Sequence, residues 1–408
     1  MMTRIQLSEH QPSGPHQLDQ EQVRALRAVA PSVVIAPAPE VPGGYYLTPS
    51  SEVGGISIPG YQVEIHPKFA IRNLFFMLAY NIDPKRWRNM GFDFDSDELL
   101  TGAVIPGFVR QVRTAIKKGL LHGYQEVEEA ASVVRGHIRF NEQISRRFGR
   151  LPPIEIRYDD FTLDVLHNRL LKAAIRRLRR TNVRSGRSVV DLVRLEPAFS
   201  EVTEVLWDPH SIPEVAFTRL AEHYRSAVAL ARLILANTAI ELREGQVHSS
   251  SFLIDMNKVF EDFVVVALRE ALGKTEREVP QGAKGKGLRL DKSRWIKLEP
   301  DLSMWDGPSC VMVGDAKYKR TTARGVTHPD IYQLLAYAIA ADLPGGLLVY
   351  AKGEAEETIH ETVQLNRQLI VRTLDLSQNP EEILGQVASV AETANQLAQS
   401  RTMAPAPI

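Results

Sequence analysis

The chain has 408 residues, 44% hydrophobic and 24% charged, a balance that fits a soluble protein of two or three domains. Its 49 Lys and Arg cancel its 49 Asp and Glu, which argues against a free-standing nucleic-acid binder, usually a basic protein; any DNA contact is expected to be local or shared with a partner. No apolar run reaches the roughly 18–20 residues of a membrane span, no signal peptide is expected after Met-Met-Thr-Arg, and the single cysteine, Cys310, excludes an internal disulfide and suits a reducing cytoplasm.

In chain order, residues 1–20 are polar and rich in His, Gln and Pro, and are expected to be poorly ordered, with a short helix over 21–29. From 30 to 64, Pro and Gly punctuate β-branched and aromatic runs such as Val33-Val34-Ile35 and Ile56-Ser57-Ile58, which predicts short strands with tight turns. Pro67 disfavours helix at His66, and a helix over 69–80 places Ile71, Leu74, Phe75 and Leu78 on one face. Further helices are predicted near 96–118 and 163–181 and a long one over 213–241, with strands at 133–140 and 154–158.

The last third alternates more cleanly. A helix over 255–272 precedes strands at 288–290, 296–304 and 309–318, a helix over 330–341, and strands at 347–351 and 369–374. A final helix opens with Asn379 as N-cap, Pro380 at its first position and Glu382 completing a capping box. The reading is α/β in the multidomain α+β sense: a β-rich N-terminal module (1–66), a mixed, mostly helical middle domain (67–247) and a C-terminal domain (248–400).

The segment that carries chemistry is Glu299-Pro300-Asp301 followed by Gly314-Asp315-Ala316-Lys317. The turn at Asp306-Gly307-Pro308 lets two antiparallel strands bring Asp301 and Asp315 together, and the two-residue spacing of Asp315 and Lys317 puts both on one face of a strand. Two carboxylates and an ammonium around one point suit phosphodiester hydrolysis. The acids (Asp301, Asp315) are the candidate ligands of Mg²⁺, which prefers oxygen, and Lys317 is placed to orient water or stabilise developing charge. Glu261 on the preceding helix and Gln333 on the following one are candidate supports, and Gln333 and Tyr337 lie four apart, on one helix face. The order helix, three strands, helix, strand resembles the PD-(D/E)xK nuclease core, and Gln333 with Tyr337 resembles the Q-x-x-x-Y motif of some of its branches.

Beyond that core the sequence resembles the McrC family, the nuclease subunit of McrBC-type modification-dependent restriction systems. The resemblance runs from Ile71-Arg72-Asn73-Leu74-Phe75 through Arg135-Gly136-His137-Ile138-Arg139-Phe140, Asn168-Arg169-Leu170-Leu171-Lys172 and the acidic motifs to Gly345-Gly346-Leu347-Leu348-Val349-Tyr350. It implies an AAA+ GTPase partner of the McrB type that recognises modified DNA, while this subunit docks on its ring, stimulates GTP hydrolysis and cuts double-stranded DNA. In keeping with that division, the glycine-rich run 282–287 lacks P-loop spacing, so GTP is expected on the partner. A second reading is an adaptor and GTPase activator with a secondary or inactive nuclease site; it gains if Asp301 and Asp315 cannot approach one metal-sized space. The residues before Phe69 lie outside the resemblance and are either a docking module or a separate addition.

Lys284, Lys286, Arg289 and Arg294 beside the acidic strands, with Tyr337, are candidate DNA contacts. The basic run from Arg169 to Arg187 reads equally as a DNA or partner contact and as a solvated helix face. Scattered His66, His137 and His167 match no zinc spacing, and Cys310 in an apolar strand reads as core.

Overall fold

The computed structural model describes residues 2–85, 87–89, 100–181, 186–243, 246–282, 287–318, 327–352, 357–364 and 366–402. It is a mixed α/β structure with several small sheets, and its chain groups into two compact units. One joins Met1–Ala103 to Leu253–Ile408, and the other is Val104–Phe252. The grouping cuts across the three expected domains, because residues 1–103 share a unit with the C-terminal third. Among the described residues no helix is long and apolar enough to cross a membrane.

The first unit begins with β1 (Thr3–Ser8) and β2 (Ser13–Gln17), then α1 (Gln20–Val29), β3 (Val34–Pro37), β4 (Gly44–Thr48), β5 (Glu52–Ile58) and β6 (Tyr61–His66). The first twenty residues are therefore not loose. Ile5 and Leu7 are buried between polar Arg4, Gln6 and Ser8, and β1 pairs in parallel with β6 from Thr3 opposite Tyr61 to Ser8 opposite His66. A period-two pattern of two apolar residues is too short to stand out in a polar segment. Helix α1 is closed by a reciprocal capping box between Asp19 and Gln22. Strands β5 and β6 form the expected hairpin, and β4 lies between β2 and β3 in a second small sheet.

Helix α2 (Ile71–Ile82) is buried all round from Asn73 to Tyr80, more than its expected apolar stripe. It packs on α8 (Met256–Ala271), where Phe76 and Tyr80 meet Phe263 edge-on at 5.4 and 5.7 Å. Its one polar core residue, Asn73, donates to the carbonyls of Leu376 and Gln378 at 2.6 and 2.8 Å. That packing is why residues 67–103 belong with the C-terminal third.

The second unit takes most of α3 (Leu100–Ala115), then β7 (Gly123–Ala131), β8 (His137–Ile138), α4 (Phe140–Arg147), β9 (Ile154–Thr162), α5 (Leu166–Arg180), α6 (Gly186–Leu195), α7 (Arg225–Asn237), β10 (Thr238–Arg243) and most of β11 (Gln246–Asp255). The expected strand over 133–140 shrinks to β8. Gly136 sits at φ +67°, where a Cβ would lie 2.4 Å from the carbonyl oxygen of Arg157, so the chain bends there and α4 begins soon after. The expected helix over 213–241 is only α7: Thr238 turns to an extended conformation, its hydroxyl donating to Ile234 O at 2.6 Å, and starts β10.

The C-terminal third continues with β12 (Leu288–Arg289), β13 (Lys297–Leu298), β14 (Leu302–Asp306), β15 (Ser309–Lys317), α9 (His328–Ala340), β16 (Gly345–Ala351), β17 (Thr358–Glu361), β18 (Gln368–Leu374) and α10 (Pro380–Thr402). The five-stranded sheet has the order β14-β15-β16-β18-β17. Its centre, β15 to β16 to β18, is parallel, and β14 and β17 run antiparallel at the edges. Helices α8, α9 and α10 all pack against β15. The expected strand over 296–304 is broken in two, because Pro300 has no N–H to give a ladder and the N–H of Asp301 is used elsewhere. Two glycines make the sheet close-fitting. A Cβ at Gly314 would lie 2.4 Å from Leu347 O, and one at Gly346 would lie 2.6 Å from Leu334 Cδ1 of α9. The capping box expected at α10 is present, Asn379 and Glu382 exchanging hydrogen bonds of 2.9 and 3.3 Å.

Candidate functional site

Antiparallel pairing of β14 with β15 sets Leu302 opposite Gly314, so the residues flanking that pair, Asp301 and Asp315, meet. Asp301 N–H donates to Asp315 Oδ1 at 3.1 Å, and Ala316 N–H donates to Asp301 Oδ2 at 3.4 Å. Each acid is thus held by backbone contributed with the other. Lys317 closes the group: its Nζ lies 2.5 Å from Asp315 Oδ2 and 3.6 Å from Asp301 Oδ2. Both carboxylates reach one ammonium-sized space. Apart from the Lys317 ammonium, the buried Asp315 Oδ2 meets no donor among the described residues.

Electrostatics at the cluster are unbalanced. Burial, then the charge of Asp301, push the Asp315 carboxyl up to about 7. Burial, then the neighbouring Glu261, push Asp301 up as well. Glu261, half-buried on α8, rises to about 7 through burial, with Asp315, Asp255 and Asp262 adding to the rise and Lys317 opposing it. For Lys317, burial favours the neutral amine but is overcome by Asp315, Asp301 and Glu261, which hold it ionised. An ion pair ordinarily lowers the pKa of its carboxylate; here the desolvation of a residue 1% exposed outweighs the lysine. Three acids against one ammonium leave a deficit of positive charge.

Such a deficit is what a hard divalent cation corrects. Among the described residues no three His, Cys, Asp or Glu side chains converge closely enough to cage a metal alone. Mg²⁺ does not need that, since it is commonly held by one or two carboxylates and water. The residues present therefore fit Mg²⁺ at Asp301 and Asp315.

Of the α9 pair, Gln333 lies on the helix beside the site as a support, while Tyr337 takes a different place from the one expected. Tyr337, expected among the DNA contacts, is 3% exposed. Its hydroxyl accepts from Gln333 Nε2 at 2.7 Å and donates to Glu299 O at 3.2 Å, and burial raises its pKa. The pair braces the Glu299-Pro300-Asp301 segment, so both are positioning residues. Of the other expected DNA contacts, Arg289 is half-buried and donates to its neighbour Leu288 O at 3.3 Å, and Arg294 is exposed at φ +62°. Lys284 and Lys286 lie outside the described residues.

Several supports carried no signal in the sequence. Tyr318, next to Lys317, is buried, donates to Glu9 Oε2 at 2.9 Å, and packs edge-on against Phe69 at 6.1 Å. The start of α8, the helix of Glu261, is tied to Ser51, whose carbonyl accepts from Met256 N at 2.9 Å and whose hydroxyl donates to Asp255 Oδ1 at 3.0 Å. Tyr350, opposite Lys317 in the parallel register, donates to buried Asp330 at 2.6 Å. These links cross up to 309 residues of sequence, which no local pattern reveals.

The basic run on α5 is structural wherever its side chains are described. Lys172 is buried and donates to the carbonyls of Phe199, at 2.9 Å, and Val202. Arg177 donates to Thr238 O and Trp207 O at 3.1 and 2.8 Å. Arg169 pairs with Asp164, Arg176 with Glu196 and Glu204, Arg179 with Glu196, and Arg180 with Glu204. Each of these cations has a carbonyl or carboxylate partner within the same unit. A cavity of about 810 Å³ against β18 and α10 is lined by Lys352, Arg372, Asp375 and Glu382 and by none of the clustered acids.

None of the curated proteins matches the chain. Among solved structures, a chain of the refined half-complex from the tetradecameric assembly of Thermococcus gammatolerans McrB AAA+ hexamers with bound McrC aligns with a TM-score of 0.54 and 18% identity, over 96% of this chain and all of that one. That likeness concerns the fold. A chain of the Thermococcus gammatolerans McrBC complex aligns with a TM-score of 0.43 and 22% identity, over 67% of this chain and 89% of that one. The family model described as the McrBC 5-methylcytosine restriction system component matches residues 47–351, three quarters of the chain, from β4 through the acidic cluster to the end of β16. The chain belongs to that family.

Proposed function

We propose that the chain is the Mg²⁺-dependent, DNA-cutting subunit of a McrBC-type restriction complex, working with an AAA+ GTPase of the McrB type whose GTP hydrolysis it stimulates. The observation that carries the reading is the convergence of Asp301 and Asp315 on one space occupied by the Lys317 ammonium, in a member of this family. The succession from α8 to β16 supports a PD-(D/E)xK-like reading, although four strands, rather than the expected three, lie between α8 and α9 and only β14 and β15 of them belong to the five-stranded sheet. The neighbour's McrB AAA+ hexamers with bound McrC support the kind of partner. In the second unit, Tyr124, Phe140, Ile144, Phe148, Leu151 and Phe161 are all more than half exposed, the sort of apolar surface that a protein partner covers.

In this reading Asp301 and Asp315 hold Mg²⁺. When bound, the ion polarises the scissile phosphate and lowers the pKa of its water. Lys317, kept ionised by its acidic neighbours, orients the attacking water or stabilises negative charge developing on the phosphate. Glu261, with a carboxyl near neutrality, exchanges protons with the site at working pH. Tyr337 and Gln333 hold the chain entering Asp301.

The adaptor reading would gain if the two carboxylates could not approach one space, and their shared contact with Lys317 gives it no such support. The test is co-purification with the AAA+ GTPase, followed by cleavage of methylated DNA with GTP and Mg²⁺. Asp315→Asn is expected to abolish cutting while leaving partner binding and GTPase stimulation intact. Undiminished cutting by that variant would sink the assignment.

A further inference from the structure

The short hairpin β12–β13 ends in a built turn. Leu288 pairs with Leu298 and Arg289 with Lys297, and Leu290 N–H reaches Ile296 O at 3.1 Å. Within the turn the Asp291 carboxylate accepts from Ile296 N–H at 2.8 Å, from Trp295 N–H at 3.2 Å and from the Ser293 hydroxyl. Arg294, at φ +62°, donates its N–H back to Asp291 O at 3.0 Å. The turn is held by its own hydrogen bonds, and what it presents is Trp295, 88% exposed, beside Ile296 and Leu290 at 50% and 40%.

This is the opposite of how the chain treats its other tryptophans. Trp87 and Trp305 are buried and Trp207 is half-buried. Of the cations in the same segment, Lys292 and Arg294 are exposed within the turn, while Arg289 is half-buried and donates to Leu288 O and Lys297 is paired with Glu299. Asp291 is held by the turn and Glu299 is paired with Lys297, which leaves Lys292 and Arg294 as the exposed cations of the turn. An exposed indole in a turn that also carries exposed Lys292 and Arg294 has the two components of DNA contact: a flat apolar face for bases and positive charge for phosphates.

Position sharpens the point. Leu288 and Leu298 pack in the same cluster as Tyr337 and Val313, so the hairpin base rests on the residue that braces Asp301. From Trp295 the chain runs six residues to Asp301, a reach of at most about 20 Å. On a duplex rising about 3.4 Å per base pair along each strand, that spans roughly six base pairs.

We propose that Trp295 is a DNA-contacting residue that inserts its indole at a base step of double-stranded DNA, partly unstacking it, within a few base pairs of the scissile phosphate, with Lys292 and Arg294 neutralising the adjoining phosphates. The proposal rests on the reading that this chain cuts DNA. It makes Trp295 a determinant of where the acids are laid on the duplex.

The test uses the full chain assembled with its AAA+ GTPase, comparing wild type, Trp295→Ala and Trp295→Phe. Affinity for a labelled methylated duplex is read by anisotropy in the Asp315→Asn background, and cleavage is read in the active background. Because the indole is exposed, all three proteins should melt at the same temperature. Trp295→Ala should weaken duplex binding about tenfold or more, the size expected for losing one stacked base, and slow cutting in step, while Trp295→Phe stays within a few-fold of wild type. Wild-type affinity and cutting by Trp295→Ala would overturn the proposal and leave the nuclease reading standing. Loss of GTPase binding with unchanged DNA affinity would overturn it by placing Trp295 on a protein interface. Tryptophan-dependent duplex binding by a complex that never cuts would instead remove the nuclease reading and keep the DNA contact.

Discussion

Asp315→Asn should make the metal-free protein more stable while it removes cutting. The folded carboxyl of Asp315 sits near 7, against about 3.9 for an unperturbed aspartate. At about 1.36 kcal/mol per pKa unit, its ionisation at pH 8 costs the fold at most about 4 kcal/mol. Asparagine keeps an oxygen to accept from Asp301 N–H, but its amide N–H₂ faces the Lys317 ammonium, returning about 1–2 kcal/mol of unfavourable contact. The net gain is about 2 kcal/mol, or roughly 4–8 °C in melting temperature for a unit of this size. Between about pH 4 and 7 the folded group holds a proton that the unfolded one has lost, so wild-type stability falls as pH rises through that window. The advantage of the variant is therefore full at pH 8 and gone near pH 4. Thermal melts in EDTA at both pH values measure it. Saturating Mg²⁺ at pH 8 should raise the wild type by RT ln(1 + [Mg²⁺]/Kd) and leave the variant unmoved. A variant less stable than wild type at pH 8, or a gap that does not change with pH, would refute the reasoning.

Two other substitutions separate positioning from support. Tyr337→Phe loses the bonds to Gln333 and Glu299 O; it should cost about 1–2 kcal/mol and slow cutting with DNA affinity unchanged, and cutting at the wild-type rate would show that the hydroxyl does not position Asp301. Lys172→Met strands the buried carbonyls of Phe199 and Val202 and should destabilise by about 2–4 kcal/mol in urea; normal stability with weakened DNA binding would return the basic run to a contact role.

The acidic cluster was legible in sequence because its signal is local: a Pro-Asp, a turn, and Asp-x-Lys at the end of an apolar strand place the three groups through strand periodicity alone. The same holds for α8, α9 and the capping box of α10. What could not be read depends on distant partners. Strand β1 exists because β6 is there to pair with it, and Glu9 is buried because Tyr318, 309 positions away, donates to it. The basic helix α5 stayed ambiguous for a related reason. A run of arginines looks the same whether it faces phosphate or the carboxylates of Glu196 and Glu204, which arrive from later in the chain. Tyr337 was placed on the right helix face, but helical spacing does not distinguish a hydroxyl that meets DNA from one that meets Glu299 O.

The charge deficit also sets how cutting should depend on pH and metal together. Below about 7, Asp315 holds a proton, and a protonated carboxyl is a poor ligand for a divalent ion. Proton and Mg²⁺ therefore compete for the same oxygens, and the competition is visible only when Mg²⁺ is limiting. At low Mg²⁺ the cleavage rate of the assembled complex should rise about tenfold per pH unit below 7 for each proton displaced and level off above it. At high Mg²⁺ the rise should shift to lower pH, because the ion displaces protons by mass action. Measuring initial cleavage rates from pH 5.5 to 8.5 at two Mg²⁺ concentrations distinguishes this from a titration elsewhere. A profile whose midpoint stays fixed as Mg²⁺ is raised would mean that the group controlling the rate does not share oxygens with the metal, and Asp315 would lose its assignment as a ligand.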